Sequence, residues 1–161
     1  MLLLYHSPRR RSSRCKGTIC LTSKPPVITL VPRMNSYPQY SIGEQGERPW
    51  GSWCVLDMQP NTVVKRLYLV PGGRISLQRH RHRSERWVVL KGAATVLCDN
   101  ETIHLTKGES AIIPSGAIHR LSNDQREPLE VLEVQIGDLL SEEDIERFTD
   151  DYGRVDGASA E

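Results

Sequence analysis

Between Gly72 and Gly92 the chain reads GGRISLQRHRHRSERWVVLKG, and this stretch restricts the fold more than any other. Gln78, His80 and His82 occupy alternate positions, so on a β-strand their side chains share one face. Glu85 follows closely and leads into the apolar run Trp87-Val88-Val89-Leu90. Metal-competent side chains aimed at one face, beside strand-forming residues, point to ligands lining the inside of a small barrel. Zinc, iron and manganese take imidazole nitrogens and carboxylate oxygens, and their sites commonly gather several such ligands. The missing ligand from a distant strand is supplied by His119, in the second ordered-looking stretch, Gly108 to Asn123.

The flanking sequence is β-rich. Trp50 to Leu56 and Val63 to Val70 read as strands around a turn at Asp57 to Asn61. Pro71-Gly72-Gly73 turns the chain into the strand carrying Gln78 to His82. Trp87 to Leu90, Ala94 to Cys98, Thr102 to Leu105, Ser110 to Ile113, a short strand opened by His119, and Leu129 to Ile136 complete the series. Turn signals every eight to twelve residues or so argue a sandwich or barrel over a parallel α/β sheet. Ser141-Glu142-Glu143-Asp144 then predicts a short C-terminal helix. Ser141 caps it, acidic residues fill its first turn, and Ile145 and Phe148 form an apolar edge packed on the barrel's outside.

At 161 residues the chain is read as one domain with a substantial core, and its formal net charge of +1 gives no support for nucleic acid or a membrane surface as partner. No stretch approaches the roughly 18 apolar residues that cross a bilayer. Residues 1–46 carry a basic patch (Arg9, Arg10, Arg11, Arg14, Lys16) and are read as a disordered or non-native extension. Residues 47–154 form the domain, and residues 155–161 a frayed tail. Cys15, Cys20, Cys54 and Cys98 are scattered, without a C-x-x-C pair. Cys54 and Cys98 are therefore expected to be reduced strand residues of a cytoplasmic protein.

Gly72-x5-Gln78-x-His80-x4-Glu85-x6-Gly92 resembles the first motif of the cupins, with glutamine where many members carry the first histidine. Gly108-x5-Pro114-x-Gly116-x2-His119-x3-Asn123 matches their second motif at each fixed position. Pairing His80 with His82 instead would place the carboxylate one residue too close. The resemblance narrows to type II phosphomannose isomerases through Arg48-Pro49-Trp50-Gly51, Val64-Lys65-Arg66-Leu67, Ser76-Leu77-Gln78 and Glu133-Val134-Gln135. It continues in Asp144-Ile145-x-Arg147-x2-Asp150-x-Tyr152-Gly153-Arg154, and departs from the family at Arg86, where histidine is usual. The neighbours of Arg86 on the strand place it on the opposite face from Glu85.

The resemblance implies an all-β, double-stranded β-helix (a jelly-roll-like barrel). It also implies interconversion of mannose 6-phosphate and fructose 6-phosphate, feeding GDP-mannose and polysaccharide biosynthesis. It names Gln78, His80, Glu85 and His119 as ligands of a divalent ion, with zinc expected first and iron or manganese as alternatives. Lys65, His82 and Glu133 are the candidates for carrying the proton, and Arg66, Arg83, Arg120 and Arg154 those for holding phosphate, Arg120 foremost. In that family this cupin is commonly the C-terminal part of a bifunctional guanylyltransferase. The large nucleotidyltransferase domain is expected to be absent from this chain, a separate nucleotidyltransferase chain being one conceivable partner. A homodimer is expected, because pairing covers strand edges. A cupin that binds a phosphosugar or nucleotide sugar without turnover is the alternative reading, since fold alone does not decide function.

Overall fold

The computed structural model describes residues 39–153. Along them run β1 (Gln45–Arg48), β2 (Gly51–Gln59), β3 (Thr62–Leu69), β4 (Leu77–Arg79), β5 (Arg83–Lys91), β6 (Ala93–Cys98), β7 (Glu101–Thr106), β8 (Ser110–Ile113), β9 (His119–Ser122), β10 (Leu129–Gly137) and β11 (Glu146–Thr149). They form a six-stranded sheet in the order β1-β2-β3-β10-β5-β8 and a five-stranded sheet in the order β11-β4-β9-β6-β7. The pairings are antiparallel throughout, as in β10 with β3 and with β5. This is the two-sheet, all-β arrangement that the alternating sequence predicts. No helix among the described residues is long and apolar enough to cross a membrane.

Strict alternation along the central strands sets what lies inside. On β3, Lys65, Leu67 and Leu69 are buried while Arg66 is exposed; on β5, Arg83, Glu85, Trp87 and Val89 are buried while Arg86 is exposed. On β10 the buried series is Leu129, Val131, Glu133 and Gln135. On β5 and β10 the series is polar at one end and apolar at the other, whereas on β3 the polar Lys65 lies between buried Val63 and Leu67. The register aligns the polar positions, placing Glu133 opposite Lys65 on one side and Trp87 on the other, and Gln135 opposite Glu85. Leu69, Trp87, Val89, Val96, Leu121, Leu129 and Val131 form a dry core, each large side chain worth about 1.5–3 kcal/mol on burial. That core supports a polar interior whose burial is costly unless its groups are paired.

Three expectations change. Tyr40 is 6% exposed and β1 starts at Gln45, so the ordered fold reaches back before residue 47. No helix follows Ser141. Its hydroxyl does accept from the Glu143 amide, but the cap closes only a 3-10 turn, Glu142–Asp144. The chain then leaves as β11, because Glu146 lies opposite Arg79 on β4 and takes the guanidinium groups of Arg79 (2.8 Å) and Arg81 (2.9 Å). Phe148 lies under Arg79 instead of forming a helix edge. Finally, β4 stops at Arg79 and the chain bends at Arg81 and His82, so the alternation that would have placed His82 beside His80 is broken. Cys54 on β2 and Cys98 on β6 are free thiols, as expected.

Two motif positions are structural. Gly92 has φ +80° in the β5–β6 turn, and a Cβ there would lie 2.7 Å from the Pro128 carbonyl oxygen. Asn123, fully buried, donates its amide to the carbonyls of Leu69, Val70 and Glu127, and accepts from the Gln125 amide. Asn123→Ala strands those groups and is expected to cost about 1–3 kcal/mol in urea unfolding. A loss below a few tenths would show that the loop reorganises freely.

Candidate metal and acid–base site

His80, Glu85 and His119 converge in the polar interior, each buried, with a donor atom from each lying within 4.8 Å of the others. Three strands deliver them. His80 follows the end of β4 and Glu85 is on β5, while His119 opens β9 directly opposite Gln78. His80 Nε2 is 3.1 Å from Glu85 Oε1, and His119 Nε2 is 3.8 Å from Glu85 Oε2. Gln78 Nε2 is 3.3 Å from His80 Nε2, while Gln78 Oε1 accepts from Ser76 Oγ at 2.8 Å. Turning that amide over aims its oxygen at the centre and lets its nitrogen donate to the serine. The four residues expected as ligands are therefore brought together.

The surroundings fit a cation. His119 Nδ1 donates to the Ala117 carbonyl (3.0 Å) and His80 Nδ1 to the Asp144 carbonyl (3.2 Å), which leaves both Nε2 lone pairs facing inward. His119 Nε2 and Glu85 Oε2 are buried atoms without a hydrogen-bond partner. Orphaned acceptors of this kind are the donor set a divalent ion requires. Burial pushes the Glu85 carboxyl up, but His80, Arg83 and His119 outweigh it and hold the group well below the usual carboxylate range. Burial lowers the His119 imidazole, so the neutral, ligating form is favoured. Asp144 adds a second support, its carboxylate accepting from the Arg81 and His82 amides at the corner after His80.

A cleft opens beside this cluster. Gln78 and Glu85 belong to both, and Lys65, Arg83, Glu133 and Gln135 contribute to its polar lining. Glu133 accepts from Trp87 Nε1 (3.0 Å) at Oε2 and from Gln135 Nε2 (2.7 Å) at Oε1. Burial and the negative Glu85 push its carboxyl up to about 7, against the opposing pull of Lys65 and Arg83. Burial lowers the Lys65 ammonium, opposed by Glu133 and Glu142. An acid and a base thus face one cavity with their proton affinities drawn together, the condition for general acid–base work near neutrality.

The raised Glu133 has a consequence for stability. The native state holds a proton that the unfolded chain releases from about pH 4.5. Native stability therefore falls as pH rises from there to about 7. In the metal-free protein, Glu133→Gln is expected to gain on wild type across that window, by at most on the order of 3 kcal/mol. Parallel stability–pH curves for the two proteins would contradict the environment described.

The remaining candidates fall elsewhere. His82 is exposed at the bend, outside this cleft, and only its backbone amide contacts Asp144. Arg66 points outward opposite Lys65, near Glu130. Arg120 follows His119 and so faces the other side of β9, donating to Thr149. Arg83 does line the cleft, but its guanidinium is engaged by Glu85 Oε1 (3.1 Å) and the Ser141 carbonyl (2.7 Å), a support for the carboxylate. Arg154 lies outside the described residues. The cleft also takes Arg48, Arg147 and Glu142, which were not singled out for it. Gln135 shares a strand face with Glu133 and was legible by that alternation. Glu142, read as an acidic residue in the first turn of a helix, was not.

Comparison with known proteins places this geometry. A family profile described as "Mannose-6-phosphate isomerase C-terminal" matches residues 37–150. The chain is 50% identical over 108 residues to the alginate biosynthesis protein AlgA of Pseudomonas aeruginosa, covering 67% of this chain and 22% of that protein. It is 43% identical over 122 residues to a mannose-1-phosphate guanylyltransferase of Klebsiella pneumoniae, covering 76% of this chain and 26% of that one. The chain thus spans about a quarter of the length of these relatives. Among solved structures, a Klebsiella pneumoniae protein with a double-stranded β-helix domain superposes with a TM-score of 0.50 at 27% identity, covering 65% of this chain and 86% of that one.

Proposed function

Since the chain belongs to the family of mannose-6-phosphate isomerase C-terminal domains, we propose that it interconverts mannose 6-phosphate and fructose 6-phosphate with a divalent ion held by Gln78, His80, Glu85 and His119. Zinc is the first choice and iron or manganese the alternatives, since a mixed nitrogen and oxygen set does not select sharply. When bound, the ion supplies Lewis-acid polarisation to the sugar's C1 and C2 oxygens. Glu133 takes the proton from C2 of the open-chain aldose and returns it at C1, its affinity near neutrality suiting both directions. The hydroxyl proton passes from O2 to O1 in the same conversion. Trp87 and Gln135 hold its two oxygens in place. Lys65, as an ammonium, faces the negative charge that develops on the enediolate oxygens. The relatives' printed roles support a place for this activity in the supply of mannose units for polysaccharides, beside a nucleotidyltransferase activity.

The observation that carries this reading is the shared cavity. One cleft joins a buried acid–base pair to a buried ligand cluster, an excess over what a binding module needs. With [1-13C]mannose 6-phosphate and the metal-reloaded chain, the C1 resonance of fructose 6-phosphate is expected to grow in. Saturable binding of the sugar phosphate without conversion, under zinc, iron and manganese alike, would replace the isomerase with a binding cupin.

A further inference from the structure

Lys65 is an amine in an environment that should drive its proton off, being 4% exposed and inside a barrel. Its Nζ lies 3.6 Å from the centre of the Tyr40 ring, 5.1 Å from that of Trp53 and 3.7 Å from Glu142 Oε1. Tyr40 donates its hydroxyl to that same Glu142 oxygen. One residue precedes β1 and the other follows β10, and they arrive as a unit. The Gln39 amide donates to the Leu140 carbonyl (3.2 Å), and Ser141 Oγ donates to Gln39 Oε1 (2.8 Å). Tyr40 and Leu140 also pack with Val55 and Val63 in a small apolar cluster that anchors both segments.

We propose that Tyr40 and Glu142 are positioning residues that clamp the Lys65 ammonium against one wall of the cavity, fixing it as the cation of the reaction and leaving Glu133 as the proton carrier. An aromatic face and a carboxylate both favour the charged amine and act against the burial that lowers its proton affinity. The charged groups that act on Lys65 come from several elements: Glu142 from the 3-10 turn, Arg83 and Glu85 from β5, and Glu133 from β10. Glu142 is the one within ion-pair distance. The clamp also draws Nζ toward Glu142, although Glu133 is its cross-strand neighbour. Glu133 still acts on Lys65 through its charge, but the ion-pair contact is made with Glu142. This division of labour rests on the isomerase reading; the clamp itself does not.

The test is made on the full chain, with 15N-labelled lysine and the Lys65 resonance assigned by Lys65→Arg. In the metal-free protein, Glu142→Gln and Tyr40→Leu are each expected to lower the Lys65 proton affinity by about tenfold. Tyr40→Phe keeps the ring and is expected to retain most of it. In the metal-reloaded enzyme the first two variants are expected to lose about 10- to 100-fold in kcat with metal content and KM nearly unchanged, and Glu142→Asp to recover part of the loss. Lys65 titrating as in wild type in both Glu142→Gln and Tyr40→Leu overturns the clamp. Because Glu142 is half exposed, its variant keeps the test open should Tyr40→Leu fail to fold. A wild-type chain without turnover would remove the isomerase reading, while the titration still judges the clamp.

Discussion

Glu133→Gln is expected to lower kcat by about 100- to 10,000-fold, the range over which a positioned acid–base group acts. Metal content and sugar-phosphate affinity should barely change. The amide is nearly isosteric, and Glu133 is not among the convergent ligand atoms. Its oxygens are held by Trp87 and Gln135, contacts an amide keeps in part. Stopped-flow turnover with metal analysis on the same sample separates the outcomes. A variant within threefold of wild type would pass the proton transfer to another group. A variant stripped of metal would make Glu133 a ligand support.

Glu85→Leu should act on the fold as well as on the ion. Glu85 is the anionic member of the ligand cluster and also the partner of buried Arg83. Truncating one side of a buried pair leaves the other charge uncompensated, at about 3–5 kcal/mol. The single variant is expected to lose metal binding and to unfold at clearly lower urea. Adding Arg83→Met removes the stranded charge and should restore most of the stability while leaving metal binding absent. Equal stability of the single and double variants would show that the Ser141 carbonyl alone suffices for Arg83.

The parts of this site that could be read from sequence are those governed by period or by fixed motif spacing. Alternation is enough to put Lys65, Glu85, Glu133 and Gln135 on inward faces, and it puts Arg86 outside, where it is exposed. The same rule counts against Arg66 and Arg120, each adjacent to an inward residue, although their chemistry suited phosphate. His82 lies away from the cleft for a different reason. Its alternation with His80 holds only on a continuous strand, and the chain bends between β4 and β5.

What escaped reading depends on contacts between distant segments. A capping serine and three acidic residues predict a helix locally, yet Glu146 finds two arginines across the sheet and the chain extends into β11. Tyr40 sits in a stretch without strand period and is buried through contacts with Leu140, Val55 and Val63. Asp144 reads as one acid in a cap, but it holds the corner carrying His80.

The most direct measurement is a coupled assay of fructose 6-phosphate formed from mannose 6-phosphate by the full chain, metal-stripped and then reloaded, alongside His80→Ala. Turnover absent without metal, restored by one or more of zinc, iron and manganese, and lost in His80→Ala together with the ion, is the predicted result. Turnover that survives both stripping and His80→Ala would contradict the account, since the reaction would then run without the cluster of His80, Glu85 and His119.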